Sequence, residues 1–188
     1  MKYTGERPTF DNIDAIESSR LRYHSILPFC DNLSVRSILD MGCGVGHGTD
    51  YLRQQTTKLV TGYDICEEAI EEAKQRYNST NFISGLSCNF LNFDIVTMVE
   101  FIEHLEVNEA LNLLKDIAKN KKAIAMTTPN GDTFPYHPTP DKYIGFHKWH
   151  FTLNELQALK DVFEFVEVYG HLYDPQIQRF TSYVVYAK

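Results

Sequence analysis

Short apolar runs alternate along this chain with longer segments of helical period. The runs VRSILDM (Val35–Met41), KLVTGYD (Lys58–Asp64), NFISG (Asn81–Gly85), FDIVTMV (Phe93–Val99) and KAIAMTT (Lys122–Thr128) each predict a strand. The β-branched run FDIVTMV suits a strand buried on both faces. Between them, residues 48–56, Glu67–Tyr77 and residues 108–120 read as helices. In Glu67–Tyr77 the apolar positions Ala69, Ile70, Ala73 and Tyr77 share one face, and acids fill the first turn where the helix dipole favours them. Strands separated by single helices predict βαβ units and a parallel sheet. After Pro129 the rhythm breaks. Residues 129–150 form a long segment rich in Pro, Tyr and His, followed by a helix over 151–163. Two strand-like segments, 163–170 and 180–188, then follow without an intervening helix and are expected to be antiparallel.

Composition narrows this picture without redirecting it. The chain has 188 residues, 43% of them hydrophobic and 23% charged, which is ordinary for one globular domain. It is read as a single domain over 1–188, with residues 1–30 as an N-terminal lid or helical segment and 131–150 as an acceptor-side loop. The polar start MKYTGERPTF has no signal-peptide character, and no apolar run reaches the roughly 20 residues of a membrane span. Cys30, Cys43, Cys66 and Cys88 lack paired spacing, so they read as thiols of a reducing compartment, and a cytoplasmic location is expected. The net charge of −7 weighs against a nucleic-acid partner.

The candidate chemistry begins at SILDMGCGVGHG (Ser37–Gly48), where Gly42, Gly44, Gly46 and Gly48 crowd a strand-to-helix turn. A turn without a ligand is one reading. A dinucleotide site is another, but its G-x-G-x-x-G spacing is not the alternating one found here, and Asp40 stands close to where a pyrophosphate would bind. The third is a cationic ligand without phosphates. Asp64 ends the second strand 20 residues after Gly44, where a carboxylate can accept both hydrogen bonds of a ribose diol. S-adenosylmethionine, with its ribose, ammonium and sulfonium, meets both conditions.

Taken together, ILDMGCGVGHGT, VTGYDICEEAIEEAKQRY, FDIVTMVEFIEHL and TTPNG resemble, in order and spacing, the class I S-adenosylmethionine-dependent methyltransferases. YTGERP and GFHKWHFTLNEL resemble a bacterial subset associated with glycan, sugar or small-molecule acceptors. The resemblance implies an α/β, Rossmann-like three-layer sandwich with a seven-stranded, mostly parallel sheet whose last strand is antiparallel. It also implies S-adenosyl-L-methionine as cofactor and S-adenosyl-L-homocysteine as product. By position, Asp40, Gly42, Gly44 and Gly46 would meet the methionine part, Asp64 the ribose, Ile65 the adenine face, and Leu86 with Ser87 the ring edge. GLSCNF carries no acid where many relatives have one after the third strand. Tyr3 and Arg7 would close over the cofactor from the N-terminal segment.

Methyl transfer needs alignment of acceptor and sulfonium and, for a hydroxyl or amine, removal of a proton. His104, His147 and Glu100 are the catalytic candidates, with Glu103 and His150 beside them. Glu100 and His104 would share a face if a helix has begun there. No metal is assigned to these residues, although Glu100, Glu103, His104 and His147 also resemble the two-acid, two-imidazole set of the small-RNA 2′-O-methyltransferases. The expected function is methyl transfer to a hydroxyl or amine of a small molecule or sugar. An RNA 3′-terminal 2′-O-methyltransferase and a non-catalytic cofactor-binding protein are the alternatives.

Overall fold

The computed structural model describes residues 13–136 and 147–188. Tyr3 and Arg7 of the expected lid, and Tyr143 and Phe146 of the acceptor-side segment, lie outside the described residues. Seven strands form one sheet in the order β3-β2-β1-β4-β5-β7-β6. Two compact units divide the chain at Val99 and Glu100.

The first unit begins with α1 (Ile13–Cys30). Then β1 (Ser37–Met41), α2 (His47–Gln55), β2 (Leu59–Asp64), α3 (Glu67–Arg76), β3 (Asn81–Ser84) and β4 (Ile95–Val99) follow in turn. β1 pairs in parallel with both β2 and β4, and β2 with β3. Every residue of β4 is buried, as its unbroken apolar run predicts. The α3 face also behaves as read: Ala69, Ile70 and Ala73 are buried, and Tyr77 packs beside Cys43, Ile70, Ala73 and Phe82. That cluster supports the glycine turn from below.

The second unit holds α4 (Val107–Lys119), β5 (Ala123–Pro129), α5 (Leu153–Gln157), β6 (Val166–Asp174) and β7 (Arg179–Ala187). α4 opens on a capping box in which Glu106 and Glu109 satisfy each other's backbone N–H groups. It closes on a left-handed Lys121 (φ 53°), with Lys121 N–H donating to Ala118 O at 2.8 Å and Lys122 N–H to Ile117 O at 3.1 Å. β7 runs antiparallel to β5 and to β6, the second pairing as the absence of a helix between β6 and β7 predicts.

Two expectations change in the second unit. The helix expected over 151–163 covers only Leu153–Gln157, followed by a 3-10 turn over Ala158–Asp161. The Thr152 capping box delays its start, and the tighter turn keeps Leu156 and Leu159 both buried. The helix conjectured to begin at Glu100 is absent. Glu100 is left-handed (φ 51°), its N–H donates to Thr127 O at 3.1 Å, and only Ile102–His104 makes a 3-10 turn. Glu100 and His104 are therefore not helical neighbours.

Candidate active site

In the first unit, β1 delivers Asp40 and the glycines that follow it. Asp40 is fully buried, and three hydroxyls donate to its carboxylate: Thr49 at 2.6 Å, Thr97 at 2.9 Å and Tyr23 at 3.0 and 3.2 Å. Burial drives its pKa up to about 6, while those hydroxyls pull the other way. Asp40 thus ties Tyr23 of α1, Thr49 of α2 and Thr97 of β4 to the end of β1. Tyr23 and Thr97 escaped the sequence reading; a lone threonine inside the apolar run of β4 was the available signal.

The turn itself is pinned from β2. Gly42 and Cys43 N–H groups donate to Tyr63 O at 2.8 and 3.0 Å, and Gly44 N–H donates to Asp64 Oδ2 at 2.9 Å. Asp64 Oδ1 accepts from Cys66 N–H at 2.9 Å, tying the start of α3 to the same carboxylate. Each oxygen so engaged keeps a second acceptor direction, as a ribose diol requires. Gly44 and Gly46 both take left-handed φ, 52° and 86°, but for different reasons. A Cβ at Gly46 would lie 2.6 Å from the Phe82 ring, so that glycine serves packing. A Cβ at Gly44 would meet nothing within 4 Å. The Gly44 backbone faces open space beside a carboxylate, a cradle that a ligand can approach closely. Ile65 and Leu86 stand 51% and 94% exposed, and Ser87 is exposed too, so apolar surface at these positions is left for a ring to cover. These residues fit adenosylmethionine.

The second unit brings together Glu103, His104 and His147, whose ligating atoms lie within 4.8 Å of one another. Glu103 is fully buried, and Thr128 Oγ1 faces its Oε2 at 3.5 Å. Glu100, two residues before the 3-10 turn, accepts from Thr127 Oγ1 at 2.9 Å. The paired threonines at the end of β5 therefore aim both carboxylates. His104 and His147 stack edge to face with centroids 4.9 Å apart. Burial, then the neighbouring His104 and His150 rings, push the His147 pKa down to about 4, so its imidazole is neutral at pH 7. A neutral imidazole can ligate a cation or accept a proton, but one of such low basicity is a weak general base.

A glycine turn with a ribose-competent acid after β2, on a mostly parallel sheet with an antiparallel end, defines a class I S-adenosylmethionine-dependent methyltransferase fold. The chain belongs to the methyltransferase-domain family, whose model matches residues 16–173, and its cofactor is S-adenosylmethionine. A probable S-adenosylmethionine-dependent methyltransferase of Mycobacterium tuberculosis is 28% identical over 176 residues, 88% of this chain and 61% of that protein. A ubiquinone biosynthesis O-methyltransferase of Haemophilus ducreyi is 32% identical over 98 residues, 45% of this chain and 41% of that protein. The chain thus spans between 41% and 61% of the length of these curated relatives. Among solved structures, the methyltransferase domain of bacterial CtHen1 superposes with a TM-score of 0.67 at 18% identity, covering 92% of this chain and all of that one. No helix among the described residues is long and apolar enough to cross a membrane.

Proposed function

We propose that this chain transfers a methyl group from S-adenosylmethionine to a hydroxyl of a small molecule or sugar, on an acceptor that carries a second oxygen beside the reacting one. The observation that carries the reading is the convergence within 4.8 Å of ligating atoms of Glu103 and His104, which follow β4 in the chain, and of His147. Mixed carboxylate and imidazole donors suit manganese or zinc, and these residues, with Glu100 close in sequence, would hold such an ion. When bound, the ion would draw together two neighbouring oxygens and lower the pKa of the attacked hydroxyl.

The protein's own part is alignment. Gly44 and Asp64 hold the cofactor at backbone distance, Asp40 keeps that turn in place, and Thr127 and Thr128 orient the two glutamates. Phe134, Tyr136 and Trp149 flank the histidines and would exclude water around the acceptor, since Tyr136 lies 6.0 Å from His150 and 6.2 Å from Trp149, centroid to centroid. The ubiquinone-pathway relative supports transfer to oxygen on a small molecule. The resemblance of Glu100, Glu103, His104 and His147 to the set of the small-RNA 2′-O-methyltransferases favours a second reading, a ribose hydroxyl at an RNA end, against which the charge of −7 weighs. Free thiols at all four cysteines suit a cytoplasmic enzyme.

The test is turnover with labelled S-adenosylmethionine on paired acceptors, vicinal diols against their mono-hydroxy analogues and short RNAs with a free 3′ end, with and without Mn²⁺. Mn²⁺-dependent labelling of small diols, lost in Glu103→Gln and His147→Ala, is expected. Full activity in EDTA, or unchanged activity in both variants, would remove the cation from the account.

A further inference from the structure

His150 carries no ligating atom in the Glu103–His104–His147 group, yet it is 5% exposed and hydrogen-bonded at both ring nitrogens. Its Nδ1 lies 2.7 Å from the carbonyl oxygen of Phe134, and its Nε2 lies 2.7 Å from His147 Nδ1. Those two distances determine proton positions. A carbonyl only accepts, so His150 Nδ1 must carry the ring proton. In the neutral form of His150, Nε2 is then an acceptor, and His147 Nδ1 must donate to it. His147 is then the Nδ1–H tautomer, and its lone pair is on Nε2. We propose that His150 is a positioning residue that sets the His147 tautomer and thereby presents the His147 Nε2 lone pair to the cation-and-acceptor site. This inference rests on the function proposed above for that site.

The surrounding backbone makes the relay rigid at both ends. The Phe134 carbonyl belongs to a turn closed by Asn130, whose Oδ1 accepts from Asp132 and Thr133 N–H at 2.9 and 3.1 Å, while Phe134 N–H donates to Asn130 O at 2.8 Å. Asn130 Nδ2 and Thr133 Oγ1 both donate to Phe180 O, at 2.8 and 3.0 Å, which anchors that turn to β7. On the other side, Lys148 N–H donates to Glu103 O at 2.6 Å, so the backbone next to His147 is fastened to the glutamate it works with. Gly131 N–H donates to Phe151 O at 2.9 Å, and a Cβ at Gly131 would fall 2.5 Å from His150 O. Only glycine lets the two segments approach this closely. The chain is thus clamped between the two histidines, at Lys148, and directly after them, at Phe151, as an orienting partner of a ligating histidine requires.

The experiment combines a tautomer readout with cation affinity. Long-range ¹H–¹⁵N spectra of the metal-free, histidine-labelled chain should show His147 in the Nδ1–H form. His150→Phe, which fills similar space without an acceptor, should lose that form and bind Mn²⁺ about 10- to 100-fold more weakly by calorimetry. His150→Asn keeps an amide oxygen that can accept, and it should retain more of both properties than His150→Phe. A wild-type His147 in the Nε2–H form, or a His150→Phe variant with the wild-type tautomer and Mn²⁺ affinity, would overturn the inference. Wild-type protein that takes up no Mn²⁺ would instead defeat the cation reading, while the metal-free spectrum still decides the tautomer.

Discussion

Gly44→Ala and Gly48→Ala are equal in chemistry and should fail in opposite ways. At Gly44 the backbone is left-handed (φ 52°), so an alanine there costs about 1 kcal/mol of backbone strain. Its methyl group would meet no protein atom within 4 Å, so no packing penalty is added. For a chain of this size that loss lowers the melting temperature by about 2–4 °C. The methyl would occupy the space in which the cofactor approaches the turn, and S-adenosylhomocysteine affinity should fall at least 10-fold, about 1.4 kcal/mol or more. At Gly48 the added Cβ would lie 1.9 Å from the Tyr23 ring, which must be driven aside. Overpacking of that kind costs about 1–3 kcal/mol, and the displaced hydroxyl removes a donor from the buried Asp40 carboxylate, worth a further 1.5–3 kcal/mol or so. Urea melts and calorimetric titration with S-adenosylhomocysteine on both variants separate the two effects. Gly44→Ala with wild-type affinity would refute the cradle, and Gly48→Ala with wild-type stability would refute the Tyr23–Asp40 brace.

Three further outcomes follow from individual groups. The Asp40 carboxyl is raised by burial from 3.8 to about 6, so the folded state binds its proton more tightly than the unfolded one. Its contribution is complete below about pH 4 and is lost as pH rises through 6, a fall of about 3 kcal/mol that Asp40→Asn should flatten in urea melts run from pH 4 to 8. A wild-type profile that rises over that interval as steeply as the variant's would contradict this. Lys121→Gly at the left-handed position closing α4 should raise stability by about 1 kcal/mol, read as a melting temperature higher by about 2–4 °C; a lower one would mean that the side chain matters more than the strain. Thr127→Val removes the hydroxyl that aims Glu100, so kcat should fall while cofactor Kd stays within about two-fold, and an unchanged kcat would free Glu100 from any role that this contact supports.

The sheet was readable because its strands are apolar runs divided by helices of clear period, and the antiparallel end because no helix separates β6 from β7. The glycine turn was readable for a similar local reason: it joins β1 directly to α2, and its glycines stand at fixed spacing along the chain. What escaped was held by contacts distant in sequence. The partners of Asp40 were not legible, because nothing local reveals that Tyr23, 17 residues earlier, and Thr97, 57 later, would enclose it. Whether a helix begins at Glu100 was left open by the local sequence, and it is decided by a distant contact: Glu100 N–H donates to Thr127 O on β5, with the Glu100 backbone left-handed. His150 read as a minor candidate because its partner is a carbonyl, that of Phe134, which no sequence pattern marks.

The most direct measurement is calorimetric titration of the wild-type chain and of Asp64→Ala with S-adenosylhomocysteine, each first shown to be folded. The account predicts micromolar binding by the wild type and at least a 10-fold loss in the variant, because Asp64 holds Gly44 in place and is the proposed acceptor for the ribose diol. Absence of binding by the folded wild type, or equal affinity in the variant, would contradict it.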